Sequence, residues 1–217
     1  MAVDVATNRC RDAEGSGVAS GKPSGFLLAS PQQMCMVHKA IESADREEIR
    51  ALQAERLRET VANAYENVPF YREQLDELGV QPSDIERVDD VRKLPTTTKE
   101  DFRDEYPDGL FAVDDDEVTR IHASSGTTGK PKIVSYTDAD VDVWSEVVAR
   151  SLAASGVEAG DTVQNAYGYG LFTGGLGLHY GIEELGATVI PIGGGQTQRQ
   201  IELMRDLESD VFTCTPS

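Results

Sequence analysis

From Val118 onward, short runs rich in β-branched residues alternate with longer segments of helical periodicity, and this alternation constrains the fold more than any other feature. Parallel strands need a crossover between them, usually a helix, so strands separated by helices predict a parallel sheet covered on both faces. We therefore expect an α/β fold. The predicted strands are Val118–His122, Lys132–Tyr136, Thr162–Ala166, Ala187–Ile192 and Asp210–Thr215.

Capping residues indicate where the crossover helices begin and end. Thr137, with Asp140 three residues later, predicts a helix start, and Gly156 predicts the end of the same helix. A second helix is expected to end at Gly186, and Thr197 is expected to cap a third. These helices supply the crossovers that a parallel sheet requires.

The first half of the chain has a different organisation. Residues 1–30 are rich in Gly, Ser, Ala and Asp without an apolar period, which predicts a disordered extension. Residues 31–117 are predicted to form a small helical N-terminal module, whose first long helix stops at Pro69. Residues 118–217 are then the first part of the α/β domain.

The stretch from Ser124 to Pro131 has the composition of a phosphate-binding loop. Its glycines let the backbone fold closely around an anion with its N–H groups pointing inward, and its lysine supplies a charge for the outer phosphate oxygens. It is not a Walker A loop, because that motif needs four residues between its first glycine and Gly-Lys, followed by Ser or Thr. A flexible hairpin turn is the alternative for this composition. The candidate phosphate-binding residues are Ser124, Ser125, Gly126, Thr127, Thr128, Gly129 and Lys130.

A second candidate segment, Tyr167–Gly177, combines aromatic residues with five glycines. A site for an aromatic carboxylate needs apolar and aromatic walls, and glycines allow the backbone to approach the ligand closely. Aromatic residues at the end of a buried strand also commonly do no more than pack in a core. Composition alone leaves both interpretations open.

Together, these segments resemble the adenylate-forming superfamily and, within it, the phenylacetate–CoA ligase family. The resemblance runs from about Val61 to Ser217. It is carried by the ordered string Ser-Ser-Gly-Thr-Thr-Gly-Lys-Pro and by further blocks at Asn67–Arg72, Thr97–Arg103, Arg120–Ala123, Tyr167–Gly177, His179–Gly181 and Gly194–Thr197. The fold that it implies is an incomplete N-terminal domain of an adenylate-forming enzyme.

The resemblance also implies which residues contact the substrates. Tyr167 and Phe172 match positions that line the aryl-acid pocket in that family, and we predict the same role for Tyr169, Gly174 and Gly175. A further candidate for a phosphate contact is Lys99 in the helical module, for which a solvated lysine is the common alternative.

Three other features near these segments have a structural and a functional interpretation. His122, two residues before the loop, is predicted to orient the loop rather than to transfer protons. His179 is interpreted as a packed or hydrogen-bonded residue. Gly193–Gly195 follows a predicted strand at the carboxyl edge of the sheet, where ligands bind in α/β folds, although a plain connecting loop is equally consistent with the sequence.

The reaction that the resemblance implies has two steps. An aryl carboxylate attacks the α-phosphate of ATP, giving an acyl-adenylate and pyrophosphate, and the thiol of CoA then displaces AMP. Phenylacetate, ATP with Mg²⁺, and CoA are the expected substrates. Family members continue to a ribose-holding Asp and a catalytic lysine, so we interpret the chain as a fragment that is inactive alone, with its catalytic residues beyond Ser217. The alternatives are a ligase for another aryl acid, such as indoleacetate or an aminobenzoate, and a non-catalytic nucleotide-binding remnant.

Charge and cysteine content limit the binding partners and the cellular compartment that we expect. The chain has 38 acidic and 20 basic residues and a net charge of −18, which argues against binding to nucleic acid or to an anionic membrane. A halophilic source is one explanation for so acidic a chain, and an ordinary acidic cytosolic enzyme is the other. Three cysteines without a Cys-x-x-Cys motif predict free thiols in the cytoplasm and no metal site. A homodimer is a candidate assembly.

Overall fold

The computed structural model of the chain describes residues 40–124 and 130–215. The predicted disordered extension, residues 1–30, lies outside the described residues. Within the two described ranges, no helix combines the length and the apolar character needed to cross a lipid bilayer.

Two helices separated by one residue open the structure. Helix α1 spans Arg46–Asn67 and helix α2 spans Pro69–Leu78. Val68 between them is extended, with φ −116° and ψ 104°, because a residue before proline is excluded from the helical region. Helix α2 ends at Gly79, whose φ of +65° is the left-handed conformation that glycine adopts without a steric penalty. The predicted break at Pro69 is therefore present.

Short helical turns complete this part of the chain and enclose a small core. The core is formed by three buried residues: Val61 on α1, Leu75 on α2, and Ile85 directly after the turn Pro82–Asp84. The short elements are 3-10 helices at Ala40–Ser43, Pro82–Asp84, Val88–Lys93 and Asp115–Glu117, and helix α3 at Asp101–Asp104. The division into a module ending at residue 117 stays a prediction.

The first two strands form a separate antiparallel hairpin. Strand β1 (Arg120–Ala123) pairs with β2 (Ile133–Tyr136) so that His122 lies opposite Val134. The chain then enters helix α4, Asp138–Ala154, whose first turn is capped by reciprocal hydrogen bonds between Thr137 and Asp140 as predicted. The hairpin is a refinement of the sequence prediction, because β1 and β2 pair antiparallel in a sheet of their own and not in the parallel sheet.

A three-stranded parallel sheet follows the hairpin and confirms the predicted fold class. Strand β3 (Thr162–Asn165) is central, flanked by β4 (Thr188–Ile190) and β5 (Val211–Thr213). Each of these three strands is shorter than predicted, because the flanking residues lie outside the ladder.

Helices cover both faces of this sheet. Helix α5 spans Gly174–Leu185 and helix α6 spans Thr197–Asp206. Val163 is fully buried in the main core with residues of α4 and α5. The next residue, Gln164, donates a hydrogen bond to Gln200 on α6. Successive residues of a strand point to opposite faces, so α6 lies on the other face from α4 and α5.

The predicted cap of α6 is wrong by one residue. Thr197 is the first helical residue, and Gln196 occupies the capping position without a side-chain hydrogen bond to the helix. Gln196 has φ +53°, a left-handed conformation that is uncommon for residues other than glycine. The connection from Gly193 thus turns too sharply for the threonine to reach the capping geometry.

Close packing of α5 on α4 generates the first prediction. A Cβ added at Gly177 would lie 2.6 Å from the Trp144 ring, whereas one added at Gly168 meets nothing within 4 Å. We expect Gly177→Ala to lower the free energy of unfolding by about 1–3 kcal/mol, because overpacking outweighs the helix propensity gained. Urea denaturation of both variants measures this, with Gly168→Ala expected within about 0.5 kcal/mol of the parent chain. Equal stabilities for the two variants would contradict the close contact.

The carboxylate of Asp90 is held by donors from its own turn. Its Oδ2 accepts the N–H groups of Arg87 and Glu86 at 2.9 Å each, and its Oδ1 lies 3.1 Å from Lys93 Nζ. The Arg87 N–H, followed by the Lys93 ammonium and the Glu86 N–H, lowers the pKa of Asp90 from 3.8 to about 2. The ionised form is therefore the one that the fold stabilises.

A pH dependence of stability follows from this lowered pKa. The contribution of Asp90 is fully present above its unfolded pKa of 3.8 and is lost as the pH falls towards 2. We expect Asp90→Asn to be less stable than the parent at pH 6, with the difference shrinking between pH 4 and pH 2. Urea midpoints across this range measure it, and Asp89→Asn removes the same charge from an exposed neighbour as a control. A difference that is constant with pH would be inconsistent with the assigned donors.

Candidate functional site

The candidate phosphate loop connects the two strands of the hairpin. At its base, the Ser124 N–H donates to the Lys132 carbonyl at 3.0 Å, and the Lys132 N–H donates to Ser124 Oγ at 3.2 Å. Residues Ser125, Gly126, Thr127, Thr128 and Gly129 lie outside the described residues. Ser124 and Lys132 are thus brought together next to the β-pairing of the two strands.

Two lysines at the end of the loop lie over aromatic rings of the helical part of the chain. Lys130 Nζ is 4.5 Å from the centre of the Tyr106 ring, and Lys132 Nζ is 4.8 Å from that of Phe102. Cation–π contacts of this kind hold an ammonium group while leaving it charged. Lys99 is exposed and lies two residues before the helix that carries Phe102.

A buried amide organises the aromatic segment. Asn165, the last residue of β3, is fully buried. Its Nδ2 donates to Tyr169 Oη at 2.8 Å and to the Gly175 carbonyl at 2.9 Å. Its Oδ1 accepts the Tyr167 N–H and the hydroxyl of Thr213, at 3.2 Å each. We missed this residue in the sequence; an amide at the end of a predicted buried strand was the available signal.

Tyr169 continues from Asn165 into a chain of polar groups. Its Oη lies 3.3 Å from Nδ1 of His179, whose Nε2 lies 3.4 Å from a carboxylate oxygen of Glu183. Burial raises the pKa of Tyr169, and the charge of Glu183 acts in the same direction, against the lowering effect of the Asn165 hydrogen bond. The phenol is therefore kept protonated and donates to His179. His179 is hydrogen-bonded, as predicted, and orients the Tyr169 ring.

The glycines of the segment allow the chain to fold back on itself. A Cβ at Gly175 would lie 2.9 Å from the backbone carbon of Gly168 and 3.2 Å from the Tyr167 carbonyl oxygen. A Cβ at Gly174 would lie 3.0 Å from the Tyr167 ring. The backbone turn that presents the aromatic residues thus requires a residue without a side chain at position 175.

The aromatic residues of the segment differ in exposure. Tyr167 is half-buried against Gly174, whereas Phe172 is 61% exposed and Tyr169 is 37% exposed. The three predicted wall residues therefore lie on one short segment but do not enclose a cavity by themselves. The described part of the chain presents them as an open aromatic surface.

One carbonyl connects this segment to the hairpin. The carbonyl oxygen of Leu171 accepts the Ala123 N–H at 2.9 Å and lies 2.9 Å from Nδ1 of His122. Ala123 is the last residue of β1 and directly precedes Ser124. The residue that precedes the candidate phosphate loop is consequently hydrogen-bonded to the middle of the candidate acid-binding segment.

His122 lies in an aromatic cluster beneath this contact. It is 2% exposed, and its ring meets those of Tyr136 and Trp144 edge to face, at 5.5 and 5.4 Å between ring centres. Tyr136 and Trp144 stack on each other at 5.3 Å. The cluster packs the hairpin against α4, so its two strands rest on the same helix that supports the parallel sheet.

The Gly193–Gly195 loop borders a cleft at the carboxyl edge of the sheet. Gln200 Nε2 donates to the carbonyls of Gly193 and Gly195, and its own Oε1 accepts from the fully buried Gln164. The cleft has a volume of about 570 Å³. Its lining includes Ala166, Gly194, Gly195, Ile201, Met204 and Phe212. The loop is therefore held in place by buried amides at an edge where ligands bind in α/β folds.

Metal binding by protein side chains finds no support in the described residues. Within residues 40–124 and 130–215, no group of three or more His, Cys, Asp and Glu side chains is placed to hold an ion. The acidic run Asp114–Glu117 is exposed, with a 3-10 turn at Asp115–Glu117.

Comparison with proteins of known identity was made at the level of sequence and of structure. No protein-family model matches the chain. A phenylacetate-coenzyme A ligase of Aromatoleum evansii is 58% identical over 177 residues, which is 82% of this chain and 40% of that protein. Those of Thermus thermophilus and Escherichia coli are 57% and 56% identical, over 84% and 82% of this chain and 41% and 40% of theirs. The chain spans about two fifths of the length of the curated relatives it matches.

Solved structures agree with this relationship. A 2-hydroxyisobutyryl-CoA ligase, crystallised with 2-HIB-AMP and CoA, superposes with a TM-score of 0.72 at 28% identity over 77% of this chain and 37% of that chain. An open conformation of that ligase gives a TM-score of 0.69 at 27% identity, covering 76% of this chain and 37% of that chain. Over most of its length, the chain therefore matches a part of the phenylacetate-coenzyme A ligase family.

Proposed function

We propose that this chain is part of an ATP-dependent, AMP-forming phenylacetate–CoA ligase. Such an enzyme couples ATP, phenylacetate and CoA to phenylacetyl-CoA, AMP and pyrophosphate by way of an acyl-adenylate. Activation of the acid as a thioester is the type of step that begins the degradation of an aromatic acid. The proposal concerns the complete protein, since the chain spans only about two fifths of its relatives.

The observation that carries the proposal is the extent of the sequence identity. The matched 177 residues leave only 40 of the 217 outside, so a continuous match contains residues 41–177 wherever it begins. Both candidate segments lie within that range. At 53–58% identity to four phenylacetate-coenzyme A ligases, the site residues and the segments that hold them are expected to keep their roles.

The phosphate loop would act on ATP through its backbone and one charge. Residues Ser124–Gly129 would surround the β- and γ-phosphates, and Lys130 would leave the Tyr106 ring to donate a charge-assisted hydrogen bond to a phosphate oxygen. Mg²⁺ would enter bound to ATP, with phosphate oxygens as ligands, as is usual for this ion. Charge that develops on the α-phosphate oxygens is then stabilised by groups already in place.

The acid would bind against the aromatic segment. Tyr167, Tyr169 and Phe172 would supply its apolar walls, and Gly174 and Gly175 would allow the backbone to approach the ring. The chain Asn165–Tyr169–His179–Glu183 supports this role because it fixes the orientation of the Tyr169 ring. The carboxylate would point towards the loop, since Leu171 lies between the wall residues and contacts β1.

The same proposal includes the cellular compartment of the enzyme and its assembly. We place it in the cytoplasm, where ATP and CoA are available and where thiols such as the exposed Cys214 stay reduced. Its net charge of −18 supports a salt-rich interior, in which screening relieves self-repulsion. A homodimer, with small molecules as the only other partners, remains our expectation.

Pyrophosphate exchange tests the reaction and its substrate. With Mg²⁺ and ATP, we expect the complete gene product to exchange labelled pyrophosphate into ATP when phenylacetate is added, because adenylation is reversible. Indoleacetate, an aminobenzoate and benzoate are tested in the same way as alternative substrates. Exchange driven by one of these and not by phenylacetate would reassign the substrate, whereas no exchange with any acid would indicate a nucleotide-binding remnant.

Replacement of Lys130 tests the assignment of the phosphate loop. A charge-assisted hydrogen bond contributes roughly 1.5–3 kcal/mol, so Lys130→Ala should lower kcat/KM for ATP in the exchange reaction by about 10–100-fold. The KM for the acid should change little. Lys132→Ala is the matched control, because it removes the same charge from a second lysine stacked on an aromatic ring. Equal losses in both variants would point to general electrostatics and would count against a specific phosphate contact.

A further inference from the structure

We propose that His122 is a positioning residue that sets the distance between the nucleotide and the acid by holding the Leu171 carbonyl. The inference rests on the proposed function, because it assigns the two segments to ATP and to the acid. It goes further by naming the contact through which one segment is aligned with the other.

The contact lies between the two segments along the chain and in space. Leu171 lies between Tyr169 and Phe172, two of the proposed wall residues, and is 64% exposed. Its carbonyl, in contrast, points to β1 and accepts the Ala123 N–H and the His122 ring at 2.9 Å each. The segment is thus attached to the hairpin through its backbone while its side chains remain available to a ligand.

The ring of His122 is oriented by this bond. A carbonyl oxygen can only accept, so Nδ1 carries the hydrogen, and in the neutral ring Nε2 is the unprotonated nitrogen. Nε2 is buried, and the described residues place no hydrogen-bond partner against it. A buried polar atom left without a partner costs free energy, and the fold retains it here. The hydrogen bond from Nδ1 to the Leu171 carbonyl is therefore the polar contact that orients the ring among the described residues.

The surroundings of His122 make the contact rigid. Tyr136, on the other strand of the hairpin, and Trp144 on α4 meet the ring edge to face. Gly177 on α5 approaches the indole so closely that an added Cβ would lie 2.6 Å from it. Movement of the ring is restricted by residues of the hairpin and of both helices, so the Leu171 carbonyl is held against a fixed frame.

This alignment matters for the chemistry of adenylation. The carboxylate must meet the α-phosphate in line, and a misplacement of about 1 Å can cost about 100-fold in rate. Loss of the His122 bond would loosen the segment without removing any group that touches ATP or the acid. The effect is therefore expected in kcat for exchange and not in the affinity for either substrate.

A matched pair of substitutions tests the proposal in the complete gene product. His122→Asn retains a donor near the position of Nδ1. His122→Leu introduces a side chain of the same shape as asparagine but without a donor. We expect His122→Leu to lower kcat for acid-dependent exchange by about 10–100-fold, with KM for ATP and for the acid within about threefold of the parent. His122→Asn should keep kcat within about threefold, as should Ile121→Ala, which alters an exposed neighbour on β1.

Three outcomes of this test would overturn the proposal. They are a kcat for His122→Leu equal to that of the parent, a loss for His122→Asn as large as that for His122→Leu, and an effect confined to KM. If circular dichroism shows that His122→Leu does not fold, His122→Gln replaces it, since the longer side chain moves the same amide away from Nδ1. The Asn variant is then expected to exceed the Gln variant at least tenfold, and equal activities would reject the proposal.

A readout without catalysis separates this proposal from the proposed function. In the 217-residue chain, hydrogen exchange of residues 168–175 should be faster in His122→Leu than in the parent and should return to the parental rate in His122→Asn. The ¹⁵N shifts of the His122 ring should report hydrogen on Nδ1. If the enzyme shows no acid-dependent pyrophosphate exchange but the hydrogen exchange and the ¹⁵N shifts are as expected, the proposed function is refuted and the contact between His122 and Leu171 is supported. Unchanged hydrogen exchange would refute the contact itself.

Discussion

The candidate site depends on the hydrogen bonds that the buried side-chain amide of Asn165 makes. An amide removed from water must find partners for its donors and for its acceptor within the protein. Asn165 finds them in the tyrosine hydroxyl, the glycine carbonyl and the backbone N–H of the segment that follows β3, and in Thr213 on β5. The aromatic segment is therefore shaped by the end of the central strand, which makes its geometry a property of the sheet.

The hairpin is arranged around the same segment by different means. It forms its own two-stranded sheet, and it is attached through the Leu171 carbonyl and through the cluster of His122, Tyr136 and Trp144. Arg120, at the start of β1, adds a contact at 4.5 Å with the ring of Tyr180 on α5. The two strands of the hairpin are thus positioned by side-chain packing and by one shared acceptor.

The part of the chain before the hairpin contributes aromatic rings to the loop lysines. Phe102 and Tyr106 lie on and just after a four-residue helix that the reciprocal bonds of Thr98 and Asp101 begin. A lysine that rests on a ring stays charged and keeps its hydrogen-bond donors available, so the contact is compatible with later binding of a phosphate. Two such contacts, two residues apart along the chain, hold the ammonium groups of Lys130 and Lys132 against this part of the chain.

The sequence alone determined the α/β class and the start of α4 after Thr137, because capping and periodicity are local signals. Its glycine-rich motifs also indicated the two segments that we propose for phosphate and acid. It did not determine that β1 and β2 pair as an antiparallel hairpin, or that Gln196 takes the position expected for Thr197. Nor did it predict the partners of Asn165 and of the Leu171 carbonyl, 48 residues along the chain from Ala123. These depend on which distant groups the packed core brings within hydrogen-bond reach, and only the tertiary structure decides that.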